Sequence, residues 1–289
     1  MLAQFVASGI VVGCIYALVA VGFTMIYNAT ETVNFAVGES LMLGAYFLLT
    51  FYKLWALPYP LALLLTLLAA GALGYLVFDR MVSRPLVEAT LLTRVIALLG
   101  LSTVLKGAAR LIWGADAYHL PSPFPTDPVE LGPALVTVQE LIIVGATVAI
   151  VGLLFLFFRF TKLGKAMRAT SQSRRAAALM GVNVPGIFAL TWIIGTMLSA
   201  LGGVLLGPLL LVDPDMGHIG IKSFTAAVLG GFGSIPGAII GGILLGVVEN
   251  LVAGYIRADF QAIGTFLLLL AVLAIRPTGM FGASLERRV

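Results

Sequence analysis

Residues 222–250 read KSFTAAVLGGFGSIPGAIIGGILLGVVEN. A short glycine-rich apolar run, 217–232, ends in the turn Gly233-Ser-Ile-Pro-Gly237, and a longer apolar run follows. Gly237 to Gly241 and Gly242 to Gly246 are small-xxx-small spacings, which let helix backbones approach closely in a bilayer. The Ser-Ile-Pro turn between the runs breaks the helix, and its glycines Gly230, Gly231, Gly233 and Gly237, with Ser234, are candidates for a hinge or a path constriction. Glu249 and Asn250 stand deep in the second run, some 18 Å past Gly237 at about 1.5 Å per residue. A carboxylate at that depth must be paired or wet. It serves either as a structural hydrogen bond to a neighbouring helix or as a cavity-lining group.

The rest of the chain has the same character. Of its 289 residues 60% are hydrophobic and only 10% charged, against roughly a quarter charged in soluble domains. Mean hydropathy is +1.08. These values exclude a soluble globular protein, a disordered chain and a nucleic-acid module. They leave an all-α, polytopic transmembrane helical bundle, one transmembrane domain over 1–289. One cysteine, Cys14, excludes a disulfide framework or a cysteine metal cluster.

A spanning helix needs about 20 mostly apolar residues. Such runs lie near 5–27, 37–52, 60–78, 95–112, 139–158, 186–212, 237–255 and 261–275. The first is no cleaved signal peptide, because no Lys or Arg precedes it and it is too long. Basic residues orient the chain. Arg80, Arg84 and Arg94 fall in 79–94, six more from Arg159 to Arg175 in 159–185, and Arg276, Arg287 and Arg288 in the tail. Loop 113–138 has no Lys or Arg but holds Asp116, Asp127 and Glu130. The positive-inside rule puts the first three in the cytoplasm and the loop outside. Parity then requires 217–232 to cross as well, giving eight to nine segments with the N-terminus out and the C-terminus in. The alternative is a re-entrant 217–232 with the tail outside. Segments one to four and six to nine begin on opposite sides, each set pairing a long helix with an irregular polar stretch (28–36, 213–222) and a short helix. That order predicts an inverted repeat, with the substrate path at its interface.

Irregular polar backbone at membrane depth survives only when buried in protein or lining a cavity. In 28–39 Asn34 is placed to cap the next helix, and Glu39 in its first turns is favoured by the helix dipole. Glu39 reads as a helix-start carboxylate near the cytoplasmic surface or as a gate residue. Lys106 and Arg110 read as cations snorkelling to the outer surface. His119 and His218 lack partners at metal spacing, so no metal site is expected. In 159–185 no Gly or Pro interrupts Lys165–Met180, and Gly181 is placed to end that helix. It suits either anionic lipid or a cytosolic docking partner.

The chain resembles the permease subunits of ABC importers for branched-chain amino acids, the LivH type. The resemblance covers nearly all of it and is carried by 16–27 (YALVAVGFTMIY), Val33–Glu39, Arg84-Pro85, Leu163–Ala169, Ala178–Asn183 and Lys222–Gly237. Where the family pattern has histidine before Gly-Glu, this chain has Val37. Such membership implies a bacterial or archaeal cell membrane, a second homologous permease subunit, two cytosolic ATP-binding subunits and an extracytoplasmic solute-binding protein. It also implies that 159–185 is the coupling segment, with Gly164, Lys165, Ala166, Arg168, Ala169, Ala178 and Gly181 against the ATPase. There is no phosphate-binding Gly-rich loop ending in Lys-Ser or Lys-Thr, so ATP and Mg are expected on the partners and the chain itself has no catalytic residues. Asn34, Glu39, Glu249 and Asn250 join the turn glycines as path candidates. Urea, short amides or other amino acids remain alternative substrates. An ion-coupled secondary transporter or a channel subunit are alternative classes.

Overall fold

The computed structural model describes residues 1–125, 127–131 and 134–282; Arg287 and Arg288, used above for orientation, lie outside them. Among the described residues eleven α-helices carry the fold: α1 (Leu2–Thr30), α2 (Val37–Leu48), α3 (Tyr59–Leu73), α4 (Leu91–Trp113), α5 (Val138–Phe160), α6 (Lys162–Gln172), α7 (Arg174–Leu179), α8 (Val184–Leu206), α9 (Ile219–Gly230), α10 (Ile235–Tyr255) and α11 (Gln261–Ile275). α2 continues as a π-helix to Leu54 and α3 as another to Ser83. Six helices among the described residues are long and apolar enough to cross a bilayer; α2, α9 and α11 are shorter.

Close glycine contacts set the packing. α1 is buried for most of its length. It crosses α10 where Gly9 and Gly13 meet Gly242 and Gly246: a methyl on Gly13 would lie 2.7 Å from Ile243 Cα, and one on Gly242 2.5 Å from Ala17 N. On its other side Gly22 approaches the Gly195 carbonyl of α8. α2 lies against α8 through Gly44 and Ala200, and α9 against α10 through Gly230, Gly237 and Gly241. Both small-xxx-small pairs read from the sequence therefore lie in backbone contacts, Gly241 against α9, Gly246 against α1 and Gly237 and Gly242 one against each.

Hydrogen bonds fix which ends of the bundle lie together. Arg94, at the start of α4, donates Nη1 to Thr30 O and Thr32 Oγ1, each at 3.3 Å. Arg174 of α7 pairs with Glu31 at 3.4 Å. The basic connections 79–94 and 159–185 thus emerge together at the end of α1, on one basic face. Asn28 Nδ2 donates to Gly233 O (2.7 Å), bringing the α9–α10 turn there. After α11, Met280 and Phe281 donate to Leu229 O and Gly230 O and reach the same face. Opposite, Trp113 Nε1 donates to Thr50 Oγ1, Lys53 Nζ to His119 O, and Tyr118 pairs with Val212. Between Val212 and Gly233 the chain passes from one face to the other.

Four expectations are corrected. The long loop holds a β-hairpin, β1 (Pro128–Leu131) and β2 (Ala134–Thr137), so the fold is not purely helical; Gln4 binds both the N–H and C=O of Leu135 and ties the hairpin to α1. The helix read from Lys165 to Met180 breaks at Ser173, which turns extended (φ −159°) and caps α7 by accepting from Ala176 N–H. The run 186–212 leaves the helix after Leu206, because Pro208 follows at once and lacks an N–H. Lys106 and Arg110 do not snorkel free: both pair with Asp215 and tie α4 to the α8–α9 connection.

Candidate functional site

α2 and α9 are half-helices that meet inside the bundle. α4 is about 34 Å long and Thr50 lies level with its far end; Val37 is about 20 Å back from Thr50, so α2 starts about 14 Å in from the basic face. α9, twelve residues long, ends at the basic face and so starts about 18 Å in. The two N-termini face one another at mid-depth. There Gly38 abuts Gly217 and Gly220: a methyl on Gly220 would lie 2.5 Å from both Cα and N of Gly38. Only glycine allows backbones this close.

Glu39 lies at this junction. It is 7% exposed, its Oε2 has no hydrogen-bond partner, and its Oε1 lies against Gly217. The expected position near the cytoplasmic surface is corrected: the chain 31–36 climbs into the bundle before α2 begins. Asn34 does not cap α2 either. Its Oδ1 accepts from Ala36 N–H (3.1 Å) in a turn of the connection, and Ala36 is the cap residue. Val37 packs on Gly220. Outside the junction Phe35 is partly exposed, and aromatic contacts run from Phe35 through Phe224 and Phe232 to Tyr27.

Glu249 forms a second centre. Its Oε2 accepts from Tyr16 OH (2.8 Å) and Lys222 Nζ (3.1 Å), and its Oε1 from Thr265 Oγ1. Four helices, α1, α9, α10 and α11, supply one group each. Glu249 is 3% and Lys222 23% exposed, so this ion pair is held inside the bundle. Asn250 turns away and donates to Gly246 O on its own helix. Lys222, Tyr16 and Thr265 escaped the sequence reading as site residues. The legible signal was Lys222, a lone cation in an apolar run with no acid within helical reach.

The turn residues each have a structural task. Ser234 caps α10 by accepting from Gly237 N–H, and Gly231 and Gly233 take positive φ (111° and 92°). Gly230 and Gly237 bring α9 and α10 into contact.

On the basic face α6 folds back under the spans. Gly164, in backbone contact with Phe157 and Phe158, lets it do so, and Met167 and Thr170 turn inward. Lys165, Arg168, Ala169, Ala178 and Gly181 are exposed, and Ala166 is half-buried. Gly181 has φ 82°, ending α7 as expected. Leu179 and Met180 stand 82% and 84% exposed beside it. Above α6 lies a cavity of about 480 Å³ bounded by Met25, Leu154, Phe158, Met167, Arg168 and Ile239.

The family model described as the permease component of branched-chain amino acid transport systems matches residues 5–275. The high-affinity branched-chain amino acid transport system permease protein LivH of Escherichia coli strain K12 is 35% identical, over 96% of this chain and 95% of its own. LivH of Salmonella typhimurium matches at the same identity and coverage. The high-affinity branched-chain amino acid transport system permease protein BraD of Pseudomonas aeruginosa is 36% identical over 96% of this chain and 95% of its own.

Proposed function

We propose, on the premise that this chain belongs to the branched-chain amino acid transport permease family, how it works within its importer. It is a multi-pass permease subunit of the cell membrane. Its substrates are branched-chain amino acids, and it lines half of their path while a second homologous permease lines the other half. Two cytosolic ATP-binding subunits, carrying ATP and Mg, drive it. A solute-binding protein delivers substrate on the hairpin face. Nine segments lie in the membrane, with α2 and α9 reaching the midplane as half-helices. The pairs α1–α2 and α8–α9, each a long helix, an irregular stretch and a half-helix of opposite direction, are the core of an inverted repeat.

The observation that carries ATPase coupling is the outer surface of α6 and α7. Leu179 and Met180 are large apolar side chains on the basic face, beyond the ends of the spans, with the exposed Arg175 one turn before them on α7. Two nearly fully exposed apolar residues there fit a protein groove. Above α6 the cavity leaves room for the helix to tilt when its outer face is pushed. α1 and α10 line that cavity with Met25 and Ile239, so such a tilt reaches the helices around Glu249. The path then opens alternately to either side.

Leu179→Asp and Arg168→Glu are expected to lower ATP-driven leucine uptake at least about tenfold, since an unpaired acid in a docking groove costs about 2 kcal/mol or more. Membrane insertion and melting should not change, because both side chains are exposed. Uptake by proteoliposomes holding the complete importer measures this. Wild-type uptake from both variants would remove α6–α7 from the coupling surface. Leucine uptake without any ATPase would instead point to a secondary transporter.

A further inference from the structure

The α2–α9 junction is built in a way that close packing alone does not require. Side chains cap α4, α5, α6, α7, α8 and α10, whereas α1, α3, α9 and α11 start without one. α2 starts about 14 Å inside the bundle, where unsatisfied backbone is most costly, yet it has no side-chain cap. Among the described residues the N–H groups of Val37, Gly38 and Glu39 have no acceptor. In the same turn the Glu39 carboxylate is more than nine-tenths buried, has an orphaned Oε2, and lies against the first turn of the opposing half-helix. Three donors at the positive end of a helix dipole and one carboxylate acceptor therefore lie within one helical turn. Gly220 covers them in this conformation, seated on Gly38 N and Cα.

Donors and acceptor of this kind match the two ends of an α-amino acid. Free N–H groups at a helix N-terminus bind a carboxylate, and a buried carboxylate binds an ammonium through charge-assisted hydrogen bonds. Beside the junction Phe35, Ile221 and Phe224 offer apolar surface to a side chain. We infer that the α2–α9 junction is a mid-membrane zwitterion subsite, closed here by the Gly38–Gly220 contact, in which Glu39 takes the substrate ammonium and the first N–H groups of α2 take its carboxylate. This rests on the amino-acid import reading above and deepens it by naming the step at which the membrane part itself touches the substrate. Parting of α2 and α9 uncovers the subsite, and the bound amino acid satisfies groups that the closed junction leaves unpaired.

Binding of labelled leucine to the assembled permease–ATPase complex in nanodiscs, without binding protein, tests this with ATP and vanadate and without nucleotide. Competitors are the 2-oxo acid of leucine, which lacks the ammonium, and isopentylamine, which lacks the carboxylate. The wild type is expected to bind leucine in one nucleotide state and prefer it to both competitors. Glu39→Gln should weaken leucine at least about tenfold, equal to about 1.4 kcal/mol, and leave the 2-oxo acid unchanged, so the preference collapses. Glu39→Asp should keep it, which separates charge from folding. An unchanged preference in Glu39→Gln overturns the subsite. So does absence of leucine binding in every nucleotide state while the complete importer still takes up leucine. If the complete importer moves no branched-chain amino acid, the substrate reading fails instead.

Discussion

Changing Lys222 to methionine is expected to lower the stability of the protein by about 3–5 kcal/mol, toward the low end because Lys222 keeps some exposure. The reason is the residue left behind. Glu249 is 3% exposed and sits inside the bundle among α1, α9, α10 and α11. Without the ammonium it keeps only the neutral donors Tyr16 and Thr265 against a full charge. Burying an unpaired charge costs far more than burying a polar group. Glu249→Gln in the same background removes that charge, and the double variant should recover most of the loss. Chemical unfolding in detergent, on wild type, both singles and the double, gives the coupling directly. A Lys222→Met variant no less stable than the double would mean that the pair does not neutralise a buried charge. Leucine uptake by the double adds a second reading: retained transport makes the pair a structural clasp of four helices, and lost transport gives it a place on the path.

The outline of this fold was legible because a bilayer admits few solutions. Long apolar runs read as helices and are helices, and the basic connections 79–94 and 159–185 do emerge on one face, joined through Thr30 and Glu31. Glycine spacing was equally direct: Gly237, Gly241, Gly242 and Gly246 are contact residues because a bare Cα is what each contact needs. Depth was the property that could not be read. Glu39 follows the end of a spanning helix, Thr30, by nine residues, which places it at the surface if the chain stays there before the next helix. The chain instead returns inward over 31–36, and hydrophobicity does not encode where a helix begins after a re-entrant stretch. Partnership across the sequence was hidden as well. Lys222 and Glu249 are in different runs separated by a turn, and Tyr16 lies 233 positions from Glu249. A lone buried acid says that a partner exists without saying which helix brings it. Ser173 shows the local limit: it reads as one more polar residue in an alanine-rich helix, yet its hydroxyl competes for the backbone and starts a new helix.

The same glycine geometry yields the other large effect. Gly246→Leu is expected to cost about 3 kcal/mol or more and to deplete the folded protein from the membrane. On Gly246 a side chain would enter the space held by Gly13 N, Gly13 Cα and Gly9 O. Those are backbone atoms of the buried central helix, so no rotamer change makes room, and α1 and α10 would have to separate along their whole crossing. Separation would also pull the Tyr16 hydroxyl from Glu249, which it reaches across this crossing, and unpair the second buried centre. Gly145→Leu and Gly152→Leu on α5 are the controls, because nothing lies within 4 Å of a side chain at either position. Both should stay within about 1 kcal/mol of wild type, helix propensity being the main change. The difference between the sites therefore separates packing from any general intolerance of leucine for glycine. Yields and unfolding midpoints that fall equally at all three positions would show that the α1–α10 contact is not what holds the bundle together. A loss confined to Gly246, with Gly246→Ala intermediate, would show that backbone proximity at this crossing supports the Glu249 centre beside it.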